Sequence, residues 1–325
     1  MRTVIVGAGL VGLTTAASLR LIGHEVTVLE HAPRVRADGA GIGLWPNALR
    51  EFDLLGIGER VRRMGEPVDA WFFDAAGNPQ RAEEYGPEAY RFLMVPRPEL
   101  TDLLASTAGR NRIRLGAHVT GFTERDEQVL VHLADVPAGA ERPEGTMVTL
   151  GGARTRGGYT RVAEGRTMWW IAQFEAGELV GGKRDRALLR ARQVAEDGWH
   201  DELLAMIAAT PEEAILENQV VCVPELPRWT TGRVALIGDA AHGLSPHIAA
   251  GGTLGIEDAG VLRAELTGES DPATALARYG KARRDRFAQV RAHADAVEHA
   301  QGAAESARRY AAFSHWMLST APSTY

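Results

Sequence analysis

The spacing of hydrophobic residues changes twice within the first thirty positions of the chain. Thr3-Val4-Ile5-Val6 is a short run rich in β-branched residues that stops at a glycine, the pattern of a buried parallel strand. Leu10 to Leu21 is rich in Ala, Leu and Thr, which predicts a helix, and Gly23 is placed to end it. A second β-rich run occupies residues 25–30. The order strand, helix, strand predicts half of a β-α-β unit in a parallel sheet.

The remaining pattern predicts a mixed α/β protein with a helical end. Short strands are predicted within 66–95, near 112–122 and 128–133, across 146–182 as an antiparallel group, and at 215–223 and 233–237. Helices are predicted at Pro46–Leu55, Pro98–Ala108, 184–209, 253–267, 272–303 and 306–318. The Pro/Gly/Glu-rich stretch 135–145 indicates a loop or junction. At ~150 residues per domain, 325 residues indicate two domains or one large one.

Composition narrows the class of protein. Hydrophobic residues make up 45% and charged residues 24%, as in an ordinary folded protein, and the formal charge is only −6. The chain has no basic stripe with interleaved aromatic residues, so nucleic-acid binding is not expected. The charged run Lys281 to Arg286 is interpreted as a solvated helix face. No apolar stretch approaches the ~18 residues of a membrane span. A single cysteine, Cys222, fits a reducing cytoplasm.

The first chemistry-bearing motif is Gly7-Ala8-Gly9-Leu10-Val11-Gly12, between the first predicted strand and helix. Gly7 permits a tight turn, Gly9 lets a pyrophosphate approach the backbone, and Gly12 lets helix and strand pack closely. The helix that opens at Leu10 would present free N–H groups to the phosphates. Glu30 ends the next strand and would accept the hydroxyls of an adenosine ribose. The motif therefore predicts a dinucleotide site.

A second motif follows the predicted strand 233–237. It reads Gly238-Asp239-Ala240-Ala241-His242 and continues through Ser245-Pro246-His247 to Gly251-Gly252-Thr253 and Glu257-Asp258-Ala259. Two glycine motifs so far apart rarely occur together by chance. Together they resemble the flavoprotein aromatic-ring monooxygenases, the p-hydroxybenzoate hydroxylase family. The resemblance covers residues 1–135 and 146–300.

The resemblance implies a Rossmann-type FAD-binding domain, a small antiparallel-sheet substrate domain and a helical C-terminus. The implied boundaries are 1–65, 96–135 and 224–270 for the FAD-binding domain, 66–95 and 146–223 for the substrate domain, and 271–325 for the C-terminal helices. In such proteins the aspartate matching Asp239 binds the ribityl chain of FAD. The amides matching Gly251, Gly252 and Thr253, with the preceding Pro246, lie near the flavin N1–C2=O edge, where a helix N-terminus stabilises negative charge.

Smaller matches extend the implied cofactor site. Arg97 occupies the family's arginine position before a helix, on the flavin side of the cofactor. Gly41 belongs to the glycine turn that passes close to the flavin ring, and Arg36, just before it, is a candidate cofactor contact. Val119 is a candidate backbone contact to the adenine. The alternative for each arginine is an ordinary surface salt bridge.

Two departures from the family pattern stand out. Ala249-Ala250 replaces the usual Gly-Gln, which makes the loop more similar to the 2,6-dihydroxypyridine hydroxylase subgroup and hints at a polar, electron-rich substrate ring. His247 in that loop is either a base or hydrogen-bond donor facing the substrate or a packed loop residue. The second departure is the absence, after Asp135, of a strand and a Gly-Ala-Asp-Gly segment, roughly 60 residues in the family.

The resemblance implies a monooxygenase in which NADPH or NADH reduces FAD and a hydroperoxide at the flavin C4a transfers OH to an aromatic or other electron-rich small molecule. The missing segment keeps an alternative open, a protein whose FAD is structural and whose pocket catalyses a non-redox cyclisation or only binds its ligand. A nicotinamide dehydrogenase without flavin would leave the second motif unused. The chain has no H-E-x-x-H and no paired cysteines, so no metal is expected. A monomer or homodimer is expected.

Overall fold

The computed structural model describes residues 1–36, 39–74, 78–125, 128–134, 155–163, 166–173, 179–192, 201–217, 222–269 and 271–321. The strands are β1 Arg2–Val6, β2 Glu25–Leu29, β3 Gly41–Leu44, β4 Glu66–Asp69, β5 Phe72–Phe73, β6 Pro79–Gln80, β7 Arg91–Pro96, β8 Ile113–Arg114, β9 His118–Arg125, β10 Gln128–Ala134, β11 Thr155–Ala163 and β12 Arg166–Gln173. The helices are α1 Leu10–Leu21, α2 Pro46–Leu54, α3 Gly58–Met64, α4 Arg97–Ala108, α5 Lys183–Ala191, α6 Asp201–Ala209, α7 Asp239–His242, α8 Gly251–Gly268, α9 Pro272–Glu298 and α10 Gly302–Ser319.

A parallel sheet in the order β1-β2-β8 forms the base of the nucleotide-binding region. Helices α1, α4 and α8 pack together beside it, because the first two carry apolar faces and the N-terminal half of α8 is buried all round. The core between them includes Ile5 of β1, Leu13 of α1, Val28 of β2 and Ile256 of α8. The predicted strand-helix-strand unit is confirmed to within one residue at each end.

One edge of β1 has no partner strand among the described residues, where β1 pairs with β2 alone. Val4 and Val6 on this strand are 49% and 59% exposed. The predicted strand at 233–237 is wrong, because Ala235 makes only an isolated bridge to Thr230. Ala235 and Ile237 pack against the helices α8 and α9 instead, and no neighbouring strand pairs with them in the described part of the chain.

The predicted strand at 215–223 is also wrong in the part that the structure describes. Residues 215–217 and 222–223 form no strand, and residues 218–221 lie outside the described ranges. Ile215 is buried and its N–H donates to the carbonyl of Glu212, which closes a turn at the position where a strand would begin.

Antiparallel sheets build the second region. β7 lies between β3 and β4, and β11 pairs with β12 along most of their length. The antiparallel pattern expected in 66–95 and 146–182 is therefore present where these ranges are described, as is the α/β class with a helical C-terminus. Strands β3, β7 and β11 converge at Gly41, where an added Cβ atom would lie 3.0 Å from both Met94 and Val162.

The C-terminal helices carry an aromatic core, one buried arginine and one partly buried arginine. Trp45 packs against Tyr310 and Phe313 of α10. The interpretation of residues 281–286 as a solvated face is wrong for Arg283, which is 3% exposed, and for Arg286, although Lys281 is exposed. The cause is helical spacing, since Arg283 and Arg286 share a face with the buried Val290.

The two C-terminal helices predicted at 272–303 and 306–318 are present, but the break between them lies a few residues earlier than predicted. Helix α9 ends at Glu298, three residues separate it from α10, and α10 begins at Gly302. Gly302 has a φ of +80°, a left-handed conformation that does not continue a right-handed helix. The break lets α10 turn back and pack against α9.

Candidate cofactor site

The glycine turn after β1 leaves an open approach to the first turn of α1. Gly7 has a φ of +100°, and its N–H donates to the carbonyl of Leu29, which fixes the turn to β2. Gly9 precedes α1 and provides no side-chain cap, and a Cβ atom added to Gly9 would meet no protein atom within 4 Å. No acidic residue stands in the first turn of α1, which begins at the buried Leu10. Uncapped amides at a helix N-terminus favour an anion.

Glu30 lies beside this turn at the end of β2. Its Oε2 accepts a hydrogen bond from the Ala8 N–H at 2.8 Å, and its Oε1 accepts one from the Ala32 N–H at 2.8 Å. The side chain is largely buried, and the Nδ1 atom of His31 lies 3.0 Å from Oε1. The carboxylate is thereby held in one orientation at the edge of the glycine turn, and Oε2 keeps a lone pair for a further donor.

The second motif brings Asp239 to the start of α8. Gly238 has a φ of +56°, and the exposed Asp239 follows it as the first residue of α7. A Cβ atom placed on Gly251 would lie 3.9 Å from Oδ1 of Asp239. Helix α8 also begins without a side-chain cap or an acidic residue in its first turn. A second uncapped helix N-terminus therefore lies next to a carboxylate.

Two neighbours of this helix start are closely packed. A Cβ atom on Gly252 would lie 2.6 Å from Cδ1 of Ile42, so β3 approaches α8 too closely for a side chain. Thr253 is buried, and its Oγ1 accepts a hydrogen bond from the Trp45 N–H at 3.2 Å. The Trp45 ring donates from Nε1 to the carbonyl of Ala249 at 3.1 Å. Trp45 thus ties the loop before α8 to β3, a role that the sequence pattern did not indicate.

The remaining predicted cofactor residues are distributed around this region. The Arg97 N–H donates to the carbonyl of Ala40, and a Cβ atom on Gly39 would lie 3.6 Å from Nη1 of Arg97, so this half-buried arginine borders the glycine turn before Gly41. Arg36 is exposed on the preceding loop. Val119 is half-buried on β9, where it pairs with Leu133.

His247 sits in a 3-10 turn, Pro246–Ile248, between the two parts of the second motif. Its Nε2 lies 3.0 Å from the carbonyl oxygen of Ala294, and because a carbonyl only accepts, Nε2 carries the proton. Burial lowers the pKa of His247 and outweighs the opposing effect of this hydrogen bond, so the ring is neutral near pH 7. Pro246 is exposed beside it.

A buried ionic network lies directly behind the second motif. Asp258 accepts hydrogen bonds from the Gly238 N–H, from Nε2 of His242 and from Nε of Arg283. Burial alone would raise the pKa of Asp258, but the charges of His242 and Arg283 hold it below its ordinary value. Glu257 is bound by Arg283 and by Arg286.

The sequence contained a signal for this network that the motif reading did not use. Arg283 lies seven residues before Val290 and eleven before Ala294, which is the spacing of one helix face. Both Val290 and Ala294 are apolar, so their spacing predicts that this face of the helix is buried. Arginines on such a face need acidic partners, and Glu257 and Asp258 are adjacent in a helix buried along its first half.

These features fit a long, doubly anionic nucleotide cofactor with a diol and a polar ring. The glycine turn offers room and amides for phosphates, Glu30 offers acceptors for ribose hydroxyls, and Asp239 with the start of α8 offers a second polar cradle. No group of side chains suited to a metal ion occurs in the described ranges. The fold and the site together define a dinucleotide-cofactor protein with two cofactor motifs.

Comparison with known proteins identifies that class. The family model described as FAD binding domain matches residues 1–144 and 220–294, so the chain belongs to this family of flavin-dependent oxidoreductases. 3-Hydroxybenzoate 6-hydroxylase 1 of Aquipseudomonas alcaligenes is 31% identical over 360 aligned positions, which cover 94% of this chain and 91% of the relative. Aurachin C monooxygenase/isomerase of Stigmatella aurantiaca is 28% identical, with 88% and 86% covered. The predicted family and enzyme class are confirmed.

The fold is likewise that of solved flavoproteins. Klebsiella pneumoniae HpxO, crystallised with FAD and uric acid, superimposes with a TM-score of 0.70 at 22% identity, covering 96% of this chain and 88% of that one. CtdE, crystallised with FAD and a substrate, gives a TM-score of 0.74 at 16% identity. No helix in the described ranges is both long and apolar enough to cross a membrane.

The relatives carry residues that this chain lacks. The 338 positions aligned with the Stigmatella aurantiaca relative include 88% of 325 residues, or about 286, so about 52 positions have no counterpart here. The family model is interrupted between residues 144 and 220. The aligned positions agree with a chain shorter than this relative, while the location of the missing segment after Asp135 stays a prediction.

Proposed function

We propose that this protein is a monooxygenase that uses FAD and NADPH or NADH to hydroxylate a small aromatic or other electron-rich molecule. One observation supports it above the others, the convergence of Asp239 and the uncapped start of α8 in a chain that also has the complete glycine turn at Gly7. The relatives named 6-hydroxynicotinate 3-monooxygenase, 3-hydroxybenzoate 6-hydroxylase and FAD-dependent urate hydroxylase act on small ring compounds, which supports the same substrate class.

Each part of the site has a proposed role toward FAD. The amides that begin at Gly9 and Leu10 would bind the pyrophosphate, since nothing caps them and no side chain blocks them. Glu30 would accept the ribose hydroxyls and Asp239 the ribityl hydroxyls. Gly251 and Gly252, at the start of α8, would place amides beside the negative edge of the reduced ring. When bound, FAD supplies the acceptor for hydride from the nicotinamide and the centre at which oxygen is activated.

The flanking residues are proposed contacts of the same cofactor. Arg97 would reach the flavin side past Gly41, and Arg36 would lie at its exposed border, while Val119 would contribute its backbone on the adenine side. The buried hydroxyl of Thr253, bound to Trp45, would hold the loop rather than the cofactor.

His247 is the proposed side chain that acts toward the substrate. Its Nε2 proton is engaged by Ala294, so a role as base or hydrogen-bond acceptor would fall to Nδ1. Its neutral state near pH 7 suits either role. The buried Trp45 and Ile248 beside this loop would help to exclude water from the reaction.

A second candidate function is a protein in which FAD is structural and the pocket only binds or cyclises its ligand. The absence of about 52 positions present in a relative favours this candidate if they fall, as the sequence predicts, after Asp135, because the chain then has fewer groups to couple nicotinamide binding to flavin reduction.

One experiment distinguishes the monooxygenase from the protein with a structural flavin. The visible spectrum of the purified protein is recorded before and after anaerobic addition of NADPH and then of NADH. Flavin bands that bleach, and that return with hydroxylated product when oxygen and an aromatic substrate are added, support the monooxygenase. Bands that persist with both nucleotides support the structural flavin. A protein that binds no flavin even after reconstitution contradicts both.

We also propose a domain organisation, an oligomeric state and a cellular location for this protein. The chain would divide into an FAD-binding part, a substrate part and C-terminal helices at the boundaries given by the sequence. We expect a monomer or homodimer, which light scattering would distinguish. A cytoplasmic location is proposed because the free Cys222 is exposed and suits a reducing compartment.

A further inference from the structure

Asp258 connects three separate elements through one carboxylate. Its Oδ2 accepts from the Gly238 N–H and from Nε2 of His242, both at 2.7 Å, and its Oδ1 accepts from Nε of Arg283 at 2.6 Å. Asp258 is completely buried, so these donors are not exchanged for water. The carboxylate therefore fixes where the Gly238 backbone leaves the interior, and Asp239 follows directly.

Arg283 holds the start of α8 at the same time. Its Nη2 donates to the carbonyl of Leu254 at 3.0 Å, in the first turn of α8, and its Nη1 donates to Glu257 at 3.0 Å. A guanidinium is a rigid planar fork, so its three nitrogens keep their partners at set positions relative to one another. Leu254, Glu257 and Asp258 all belong to α8, so one side chain of α9 fixes the first turn of α8 and orients the Asp258 carboxylate, which in turn binds the Gly238 N–H.

Gly238 and Gly255 both pack closely against Val11 of α1. A Cβ atom on Gly238 would lie 3.0 Å from Val11, and one on Gly255 would lie 2.3 Å from the same side chain. The helix that follows the first glycine motif therefore packs closely against both Gly238 and Gly255 through its Val11 side chain.

Helix α9 also anchors the third segment near the site. Eleven residues after Arg283, the carbonyl of Ala294 accepts the Nε2 proton of His247. About three turns of one helix thus separate the two anchors. The Gly238–Asp239 turn, the start of α8 and the His247 loop are all attached to α9, although none of them is adjacent to it in sequence.

We infer that Arg283 is a positioning residue for FAD: it binds the first turn of α8 at Leu254 and orients the Asp258 carboxylate that binds the Gly238 N–H, and so keeps Asp239 in place beside the N-terminus of α8. Arg283 itself, being buried, would not touch the cofactor. The inference rests on the proposed binding of FAD at this site. Loss of the fork would move two cofactor-binding segments relative to each other without removing any atom that contacts FAD.

The test compares Arg283→Lys with Arg286→Lys. Arg286 is a matched control because it lies on the same helix face three residues later and binds the same Glu257, but contacts neither Asp258 nor Leu254. For each apoprotein, the dissociation constant of FAD is measured by quenching of flavin fluorescence, and the melting temperature is measured without FAD. Both variants should lower the melting temperature. Arg283→Lys should also weaken FAD by about tenfold or more, since a lysine cannot reproduce the fork.

Equal dissociation constants for the two lysine variants would overturn the inference and leave Arg283 a residue of general stability. Should Arg283→Lys yield no folded apoprotein, Asp258→Asn provides the second measurement, since it keeps the side-chain shape and is expected to weaken FAD by a similar factor. Failure of both variants to fold would also overturn the inference. If the wild-type protein binds no FAD, the proposed function fails instead, which is a distinct result.

Discussion

Gly12 lies against Gly7 so closely that a Cβ atom on Gly12 would be 2.0 Å from the Gly7 carbonyl oxygen. The obstacle is backbone and cannot rotate away. Gly12→Ala should therefore push α1 off β1 and lower the free energy of unfolding by about 1–3 kcal/mol or more. Chemical denaturation of the apoprotein measures the change. An unaltered midpoint would mean that α1 does not pack as the structure shows.

Gly9→Ala is the matched substitution in the same motif with the opposite expectation. Its Cβ atom would meet no protein atom within 4 Å, and Gly9 has a φ of −73°, which alanine accepts. Stability of the apoprotein should stay the same, whereas FAD should bind about tenfold more weakly, because the methyl group occupies the approach to the α1 amides. A titration of apoprotein with FAD checks this. Unchanged affinity would remove the pyrophosphate from this turn.

Asp239 and Glu30 should contribute differently to FAD affinity and to the stability of the apoprotein. Asp239 is exposed, so Asp239→Ala should weaken FAD while leaving the unfolding of the apoprotein unchanged. Glu30→Gln replaces one acceptor oxygen by a donor facing the Ala8 or Ala32 N–H, and should cost about 1–3 kcal/mol of stability. We expect the larger loss of FAD affinity for Asp239→Ala. Equal affinities, after matching for stability, would contradict the placement of Asp239 in the cofactor cradle.

His247→Ala should lower the turnover of an aromatic substrate by about 100-fold if the ring acts as a base. The flavin spectrum and the rate of its reduction by NADPH should stay close to wild type. His299→Ala, at an exposed position after α9, serves as the control. Wild-type turnover in the His247 variant would show that the ring is only packed against Ala294.

Glu217 should contribute a distinct acid-labile part of the stability. Hydrogen bonds from Arg186, with Arg190, lower the pKa of Glu217 from 4.5 to about 2. Because the folded-state pKa is depressed, the stabilisation is complete above pH 4.5 and is lost as the pH falls toward 2. Glu217→Gln should flatten the unfolding free energy across this interval. The exposed Glu213→Gln should leave the profile as it is, and identical profiles for both variants would refute the assignment.

The expected absence of a segment after Asp135 predicts weak retention of FAD. Each missing charge-assisted hydrogen bond to FAD costs about 1.5–3 kcal/mol, so the loss of two weakens binding by about two orders of magnitude or more. The purified protein should therefore contain less than one FAD per chain and reduce it slowly with NADPH. The ratio of flavin to protein absorbance and stopped-flow reduction measure both. Tight, stoichiometric and rapidly reduced FAD would show that other groups replace the missing segment.

Local sequence was enough to predict the elements whose partners are close in the chain. The first strand, helix and strand follow from the glycines at 7, 9 and 12 and from the β-branched runs beside them. The prediction of a strand at 233–237 was wrong because a strand depends on a partner that is distant in the chain. These residues have strand composition, but a strand exists only when a neighbour supplies hydrogen bonds, and composition does not report whether that neighbour is present.

In the candidate site, too, residues of a local motif were predicted and residues that depend on distant partners were not. Asp239 and Gly251 were predicted as cofactor residues from their motif, and the structure places them together, although their contact with FAD stays a prediction. Arg283 was read as part of a solvated run because charge suggests water. Its burial depends on Asp258, 25 residues earlier, and on the face of α9 that also carries Val290. Such pairing across elements is a property of packing rather than of any local pattern.

The edge of β1 that has no partner strand in the described part of the chain bears on how the protein behaves at high concentration. An unpaired strand edge displays N–H and C=O groups that a strand of another molecule can extend, and native proteins usually shield such edges with charges, prolines or a covering element. Here Val4 and Val6 stand exposed on that strand, and both favour β pairing. Self-association through this edge would set the upper limit of protein concentration in storage and crystallisation, whatever cofactor is bound on the other side of the glycine turn.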